Sequence, residues 1–544
     1  MDATTLFDAS AKADAILRSS DSVDFFIIKL LLCLVSPIFS DIFLSNHTED
    51  ETRNGLPIVS VTEDSRTLRR VLLFIYPSCV TGCEPALDID DLCPVAKAIR
   101  KYSMDCIEGR IKEMVVASQL LQKNAFRVYA LAVHLAWTDI AAMAALNTLE
   151  TPLSDLPFVD ELHMMSGADF YQYLSYRFGC EEYGGEGEKP QLVFVSQGSV
   201  ANKSHSATAV ADVPAAFGPN AKVDAILRSS DGIDFHVKRS FLSHLSPVFE
   251  ELFANSDSAV LNTQRSNSLV CTEEADGSAA LNNQRSNSTV FTEEADSAAT
   301  LINQRSDPPV FTVKEDNDAS QRDDPPVFTV EEDSITLSGL LCLLHPYAGE
   351  PCISDLELYP KIWAAAQRYQ VTFIFQRLEQ SFLEFPSISK KPLRSFAISV
   401  SLGWTKAINA CAMETLIEPL SEMEYADEVR IITGADLYRL LEYRFRCAKS
   451  VGLFLDDMAK SEPEAEAYSK YFAAVKSRLS DYPRGNFRSR HDDFDLVKAA
   501  RIYSGKTTYS TCGHHVRHLL SKQRMLYVTI EEIISKVCLS TLLC

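Results

Sequence analysis

The sequence lacks the marks of an exported or membrane-spanning chain. Residues Met1 to Lys12 hold no apolar core of the kind a secretory signal needs, so the sequons at Asn46, Asn202 and Asn287 are expected to stay unmodified. No two of the 14 cysteines stand as a Cys-x-x-Cys pair. Cys33, Cys106, Cys342 and Cys411 instead sit inside apolar runs, which fits reduced thiols in cytosol or nucleus better than a disulfide framework. Positive charge is scarce. With 52 Lys and Arg against 74 Asp and Glu, the net charge of −22 repels phosphate and anionic lipid, so neither nucleic acid nor membrane is an expected partner. The most apolar stretch, Phe25 to Phe43, is broken by Lys29, Ser36-Pro37 and Asp41, and reads as a strand plus helix rather than a membrane span.

Catalytic signatures are also missing. Ser504-Gly505-Lys506-Thr507 resembles the end of a phosphate loop, but Ala500 stands where its first glycine is required. Gly184 to Lys189 reads as linker. Cys512, His514, His515 and His518 form a metal-like cluster without the second ligand pair that a zinc finger needs. His134 and His163 are replaced by Ser401 and Arg430 at the equivalent positions of the internal repeat described next, and His47 has no counterpart there. The expectation is therefore no catalytic residue, no cofactor, no metal and no enzyme.

What the chain does contain is a duplication. KADAILRSSDSVDF at 12–25 returns as KVDAILRSSDGIDF at 222–235, and SPIF at 36–39 as SPVF at 246–249, both displaced by 210 residues. VTEDSRTL at 61–68 returns as VEEDSITL at 330–337, displaced by 269. SGADFYQYLSYRFGC at 166–180 returns as TGADLYRLLEYRFRC at 433–447, and Trp137 as Trp404, both displaced by 267. The change in displacement marks an insert in the second copy, read as 256–329. It is rich in Ser, Asn, Asp, Glu and Thr, has an inner period of 20 residues, and is expected to stay disordered because it has little apolar surface to bury. Its short Val-Phe-Thr-Val pieces could dock on a sheet edge, though loop is the plainer reading.

Within a copy, Asp14–Leu17 and Val23–Ile28 read as a β-hairpin, Leu30–Phe43 as two short helices joined at Ser36-Pro37, and Leu56–Val61 as a third strand. Asp64 or Ser65 caps a helix that stops at Pro77. Val95–Tyr102, Cys106–Ala117 and Phe126–Leu149 read as further helices. A capping signature at Ser166, repeated at Thr433, opens the last one, Phe170–Phe178. The fold class is α+β.

This order resembles a BTB/POZ domain, of the type numerous in basidiomycete fungi. The resemblance is carried by Asp14–Phe39, Val59–Pro77 and Ser166–Cys180, and again by Asp224–Phe249, Phe328–Pro346 and Thr433–Cys447. Its signature positions are Asp14, Asp24, Phe25, Ser36, Pro37 and Phe39, then Asp224, Asp234, Phe235, Ser246, Pro247 and Phe249. The histidine usual after the second strand is Ile28 in one copy and Lys238 in the other. The resemblance implies two tandem modules, each a small three-stranded sheet with helices and a helical extension. The expected boundaries are 13–118 and 119–180, a linker over 181–221, then 222–385 and 386–447, and a helical tail over 448–544. It further implies a protein-interaction or adaptor role through dimerisation with itself or other BTB proteins, a link to a cullin-type ubiquitin ligase in some relatives, and an intrachain pseudo-dimer across the linker. Trp137 and Trp404 read as core anchors. The basic stretch Arg484 to Arg524 leaves a transcription-associated role as the alternative.

Overall fold

The computed structural model describes residues 6–9, 11–44, 52–77, 88–182, 213–219, 223–254, 325–345, 353–386 and 388–461, with most of 473–484 and 525–537. The chain forms two compact units. Unit 1 comprises Met1–Val195 with Thr433–Tyr438, and unit 2 comprises Ser196–Ile432 with Arg439–Cys544.

Unit 1 opens with the expected hairpin. β1 (Ala15–Arg18) pairs antiparallel with β2 (Asp24–Ile27), Ala15 opposite Ile27 and Arg18 opposite Asp24. Apart from the paired Arg18 and Asp24 both strands are apolar, and both are almost wholly buried although β2 lies at the edge of the sheet. The chain then crosses over through α1 (Lys29–Val35) and α2 (Pro37–Leu44), where Pro37 at the first helical position fixes the new start. After the short β3 (Thr52–Arg53) it returns as β4 (Leu56–Ser60), parallel to β1. The sheet of unit 1 thus has four strands rather than three. β3 folds back on β4 through Asn54 and Gly55, whose φ angles of 56° and 78° make the Asn-Gly turn that suits a tight hairpin.

Helices complete the unit. α3 (Ser65–Ile75) is capped by Asp64, which accepts from the Thr67 N–H at 2.7 Å. α4 runs Ile89–Lys101, starting well before the expected Val95, because Asp88 caps it and Asp90 and Asp91 suit its first turn. α5 (Asp105–Ala117) and α6 (Leu120–Lys123) follow. The stretch expected as one helix, Phe126–Leu149, is two: α7 (Ala125–His134) and α8 (Thr138–Thr148), separated by a turn in which Ala136 has φ 50°. α9 (Gly167–Glu182) starts at a reciprocal cap, with the Ser166 hydroxyl donating to Asp169 Oδ2 and accepting from the Asp169 N–H.

Unit 2 repeats the pairing. β5 (Ala225–Arg228) and β6 (Asp234–Val237) form the hairpin, α10 (Arg239–Leu245) and α11 (247–254) cross over, and β7 (Val327–Thr329) lies parallel to β5. The insert expected to be disordered over 256–329 therefore ends earlier: Val327–Thr329 is a strand because Phe328 is buried in the core. Residues 256–324, like most of the linker, lie outside the described residues. α12 (Ser334–Leu344), α13 (Leu358–Arg368), α14 (Phe375–Leu383), α15 (Pro392–Ser401) and α16 (Thr405–Glu414) follow in the order seen in unit 1. α17 (Gly434–Ser461) is one continuous helix of 28 residues. The boundary expected at 447/448 thus falls inside it. Val451 and Leu455 are buried beyond that point, and so are Val475, Leu479, Leu526, Ile530 and Ile534, so the described part of the tail packs into unit 2.

Candidate protein interface

The most conspicuous repeated motif, Ile-Leu-Arg-Ser-Ser-Asp-x-x-Asp-Phe, has its polar side chains engaged inside each unit. Arg18 makes a forked ion pair with Asp24 at 2.7 and 3.2 Å, and Arg228 does the same with Asp234 at 2.7 and 2.9 Å. Arg53 adds a second cation to Asp24 at 2.7 Å. Asp21 accepts from the backbone N–H and hydroxyl of Ser65, and Asp231 from those of Ser334, which ties the hairpin turn to the third main helix of each unit. Asp14 and Asp224 accept from the N–H groups of Lys29 and Arg239 and so hold the crossover helices. Phe25 and Phe235 are core residues.

Ser36-Pro37 and Ser246-Pro247 hold a buried polar joint. The Ser36 hydroxyl donates to the Tyr102 carbonyl at 2.6 Å and accepts from the Phe39 N–H at 3.1 Å. Phe39 stacks on Tyr102 at 4.4 Å, and the Tyr102 hydroxyl reaches Glu63. Unit 2 repeats every contact: Ser246 to the Tyr369 carbonyl, Phe249 stacked on Tyr369 at 4.5 Å, and the Tyr369 hydroxyl on Glu332. Burial, together with the carboxylate beside it, pushes the Tyr369 hydroxyl far above its ordinary value. Satisfied networks of this kind fix one packing arrangement.

Titratable groups give no catalytic constellation among the described residues. Burial pushes the Cys411 and Cys447 thiols up to about 12, the wrong direction for a nucleophile. Glu108 goes the other way. Burial would raise it, but hydrogen bonds from Arg100 and Trp137 and the charges of Arg100 and Lys112 outweigh that and hold it at about 2. Trp137, buried as expected, donates to Glu108 Oε1 at 2.6 Å. Trp404 is equally buried, yet its indole N–H has no acceptor, because Phe375 stands where unit 1 has Glu108. A cavity of about 550 Å³ in unit 2 is lined by Arg394, Glu357 and Glu428 among others. Arg394 pairs with Glu428 and Glu357 at 2.6 and 2.8 Å, and in unit 1 Arg127 pairs with Glu161 and Asp90 at 2.7 Å each. These ions are common scaffolding of the two copies. No group of metal-ligating side chains occurs among the described residues, and the sequence motifs at 504–507 and 512–518 lie outside them.

The surface differs where the core does not. Along α1 and α2 the burial of successive residues is nearly the same as along α10 and α11. The exposed positions, however, have diverged. Leu30 and Leu34, one turn apart on α1, are 64% and 72% exposed, and Leu44 at the end of α2 is 75% exposed. Their counterparts are Ser240, His244 and Ala254. One exposed leucine is ordinary, but an exposed pair on one helix face, replaced by serine and histidine in the sister copy, is a candidate docking surface. These leucines were not singled out by sequence reasoning. The signal available for them was the polarity contrast at matched repeat positions.

Residues 4–119 match the BTB/POZ domain family, so the segment that carries the Leu30 and Leu34 face is a BTB/POZ domain, a protein-interaction module. No curated protein matches the chain. Among the described residues no helix is long and apolar enough to cross a membrane.

Proposed function

We propose that this chain is a non-catalytic interaction protein whose BTB/POZ segment docks through the α1 face of Leu30 and Leu34 onto the same face of a second copy. The observation that carries this reading is the exposure of those two leucines on a unit whose other large apolar residues are mostly buried. An isologous contact needs the same patch from both partners. Ser240 and His244 do not provide it, so the partner face is another unit 1 and comes from another chain. Unit 2, read as a second BTB-like module, keeps the fold with a polar face and is left to present other partners, which is the arrangement an adaptor needs.

Sedimentation velocity of the full chain at micromolar concentrations tests this. The wild type is expected to dimerise, and the L30D/L34D double variant to run as a monomer with an unchanged circular dichroism spectrum, because both side chains project into solvent in the single chain. A wild-type chain that stays monomeric up to about 100 µM, or a double variant that still dimerises, would overturn it.

A further inference from the structure

The slot that β7 fills beside β5 is defined by a few side chains. β7 pairs in parallel with β5, Ile226 opposite Val327 and Arg228 opposite Thr329, and the ladder closes with the Val330 N–H on the Arg228 carbonyl at 2.9 Å. Phe328 is 2% exposed, packs edge-on against Phe253 at 5.0 Å and lies under the Arg239 guanidinium at 5.3 Å. Val330 is buried. Glu332 accepts from the Tyr369 hydroxyl and from Arg368, the latter at 2.6 Å. Asp333 caps α12 through the Thr336 N–H at 2.7 Å. The slot therefore reads the pattern Val-Phe-Thr-Val-x-Glu-Asp.

The chain carries that pattern a second time. Asp307-Pro308-Pro309-Val310-Phe311-Thr312-Val313-Lys314-Glu315-Asp316 repeats Asp324 to Asp333 at every position except Lys314, which stands for Glu331. Glu331 is the half-exposed member of the set, paired with Arg368 at 3.0 Å beside the shorter Glu332 contact. Each residue that the slot buries or bonds has a duplicate: Phe311, Val313, Glu315 and Asp316. The looser repeats farther upstream, Val-Cys-Thr-Glu-Glu-Ala at 270–275 and Val-Phe-Thr-Glu-Glu-Ala at 290–295, have glutamate where Val330 is buried and so do not fit.

We infer that the edge of β5 is a strand-accepting site with two alternative occupants in the same chain, 325–333 as observed and 308–316, which lies outside the described residues. Exchange costs little in chain connectivity. With 308–316 in the slot, residues 317–333 become extra loop before Ser334, and loop-closure cost rises only slowly with length. Asp333 stays beside Ser334 and keeps its cap on α12, while Glu315 replaces Glu332 at Tyr369 and Arg368.

Urea denaturation of three full-length variants tests the exchange. F328S is expected to shift the unit 2 midpoint by less than half as much as the F311S/F328S double variant, with F311S alone without effect. Equal losses in F328S and the double variant overturn the inference. A second test leaves Phe328 in place. In R228C/T312C, mild oxidation is expected to link the two introduced thiols within one chain, as read by mass spectrometry of the linked peptides. No link, with R228C/T329C linking normally, overturns the proposal, and so does a link found only between two chains.

Discussion

Glu108 and Phe375 occupy the same place in the two copies and show how much one residue sets. In unit 1 the carboxylate joins Arg100, Lys112 and the Trp137 indole into one partly buried cluster. In unit 2 an aromatic ring takes its place, stacks on Trp363 at 5.5 Å, and leaves the Trp404 N–H without an acceptor. The carboxyl of Glu108 is held at about 2, below its ordinary 4.5. A depressed carboxylate contributes stability that is fully present above about pH 4.5 and is lost as pH falls toward 2. The stability advantage of wild type over E108Q is therefore expected to be constant from pH 7 to about 5 and to shrink steadily between about pH 4.5 and 2.5. Matched urea titrations across that range measure it; an advantage that grows on acidification would contradict the assignment.

Helix ends decide how much of the fold can be read in advance. α7 closes with the Trp137 N–H on the Ala132 carbonyl and the Ala136 N–H on Val133, which puts Ala136 in the left-handed region at φ 50°. α15 closes the same way through Ser399 and Val400, with Gly403 at φ 67°. Ser103 and Gln370 end α4 and α13 in that conformation too, at φ 52° and 53°. Glycine is the residue that announces such a stop. Where alanine, serine or glutamine stands instead, the apolar period runs through, which is why Phe126–Leu149 reads as one helix in sequence and folds as two. The hairpins, the Ser-Pro junctions and the capping boxes were legible because each carries turn or cap chemistry at fixed spacing. β3 was announced by Asn54-Gly55, a signal that sequence reading passed over. Leu30 and Leu34 carry no turn or cap chemistry, and their only signal in sequence is the contrast with Ser240 and His244 at the matched repeat positions. Left-handed backbone costs a non-glycine residue about 1–2 kcal/mol. Part of that is offset by the greater freedom of glycine in the unfolded chain, so A136G is expected to stabilise unit 1 by roughly 0.5–1 kcal/mol in denaturant melts.

At the scale of the whole molecule, charge and apolar surface oppose each other. A net charge of −22 repels a second copy, while the proposed dimer draws on burial of the exposed Leu30 and Leu34 face. At about 0.15 M ionic strength the Debye length is about 8 Å, so added salt screens the repulsion between chains and leaves apolar burial intact. Dimerisation is accordingly expected to tighten between about 50 and 500 mM NaCl in sedimentation equilibrium. An association that weakened with salt would point to an ionic contact instead of the α1 face.

The long helix Gly434–Ser461 has a practical corollary for anyone dissecting the chain. Cleaving the polypeptide after Cys447, where the recurrent sequence stops, would sever the helix midway and strip Val451 and Leu455 from the interior they fill. A fragment meant to carry the second copy alone must extend past Ser461 to include Ile534, the last of the buried tail residues, and one that stops at Cys447 is expected to precipitate on expression.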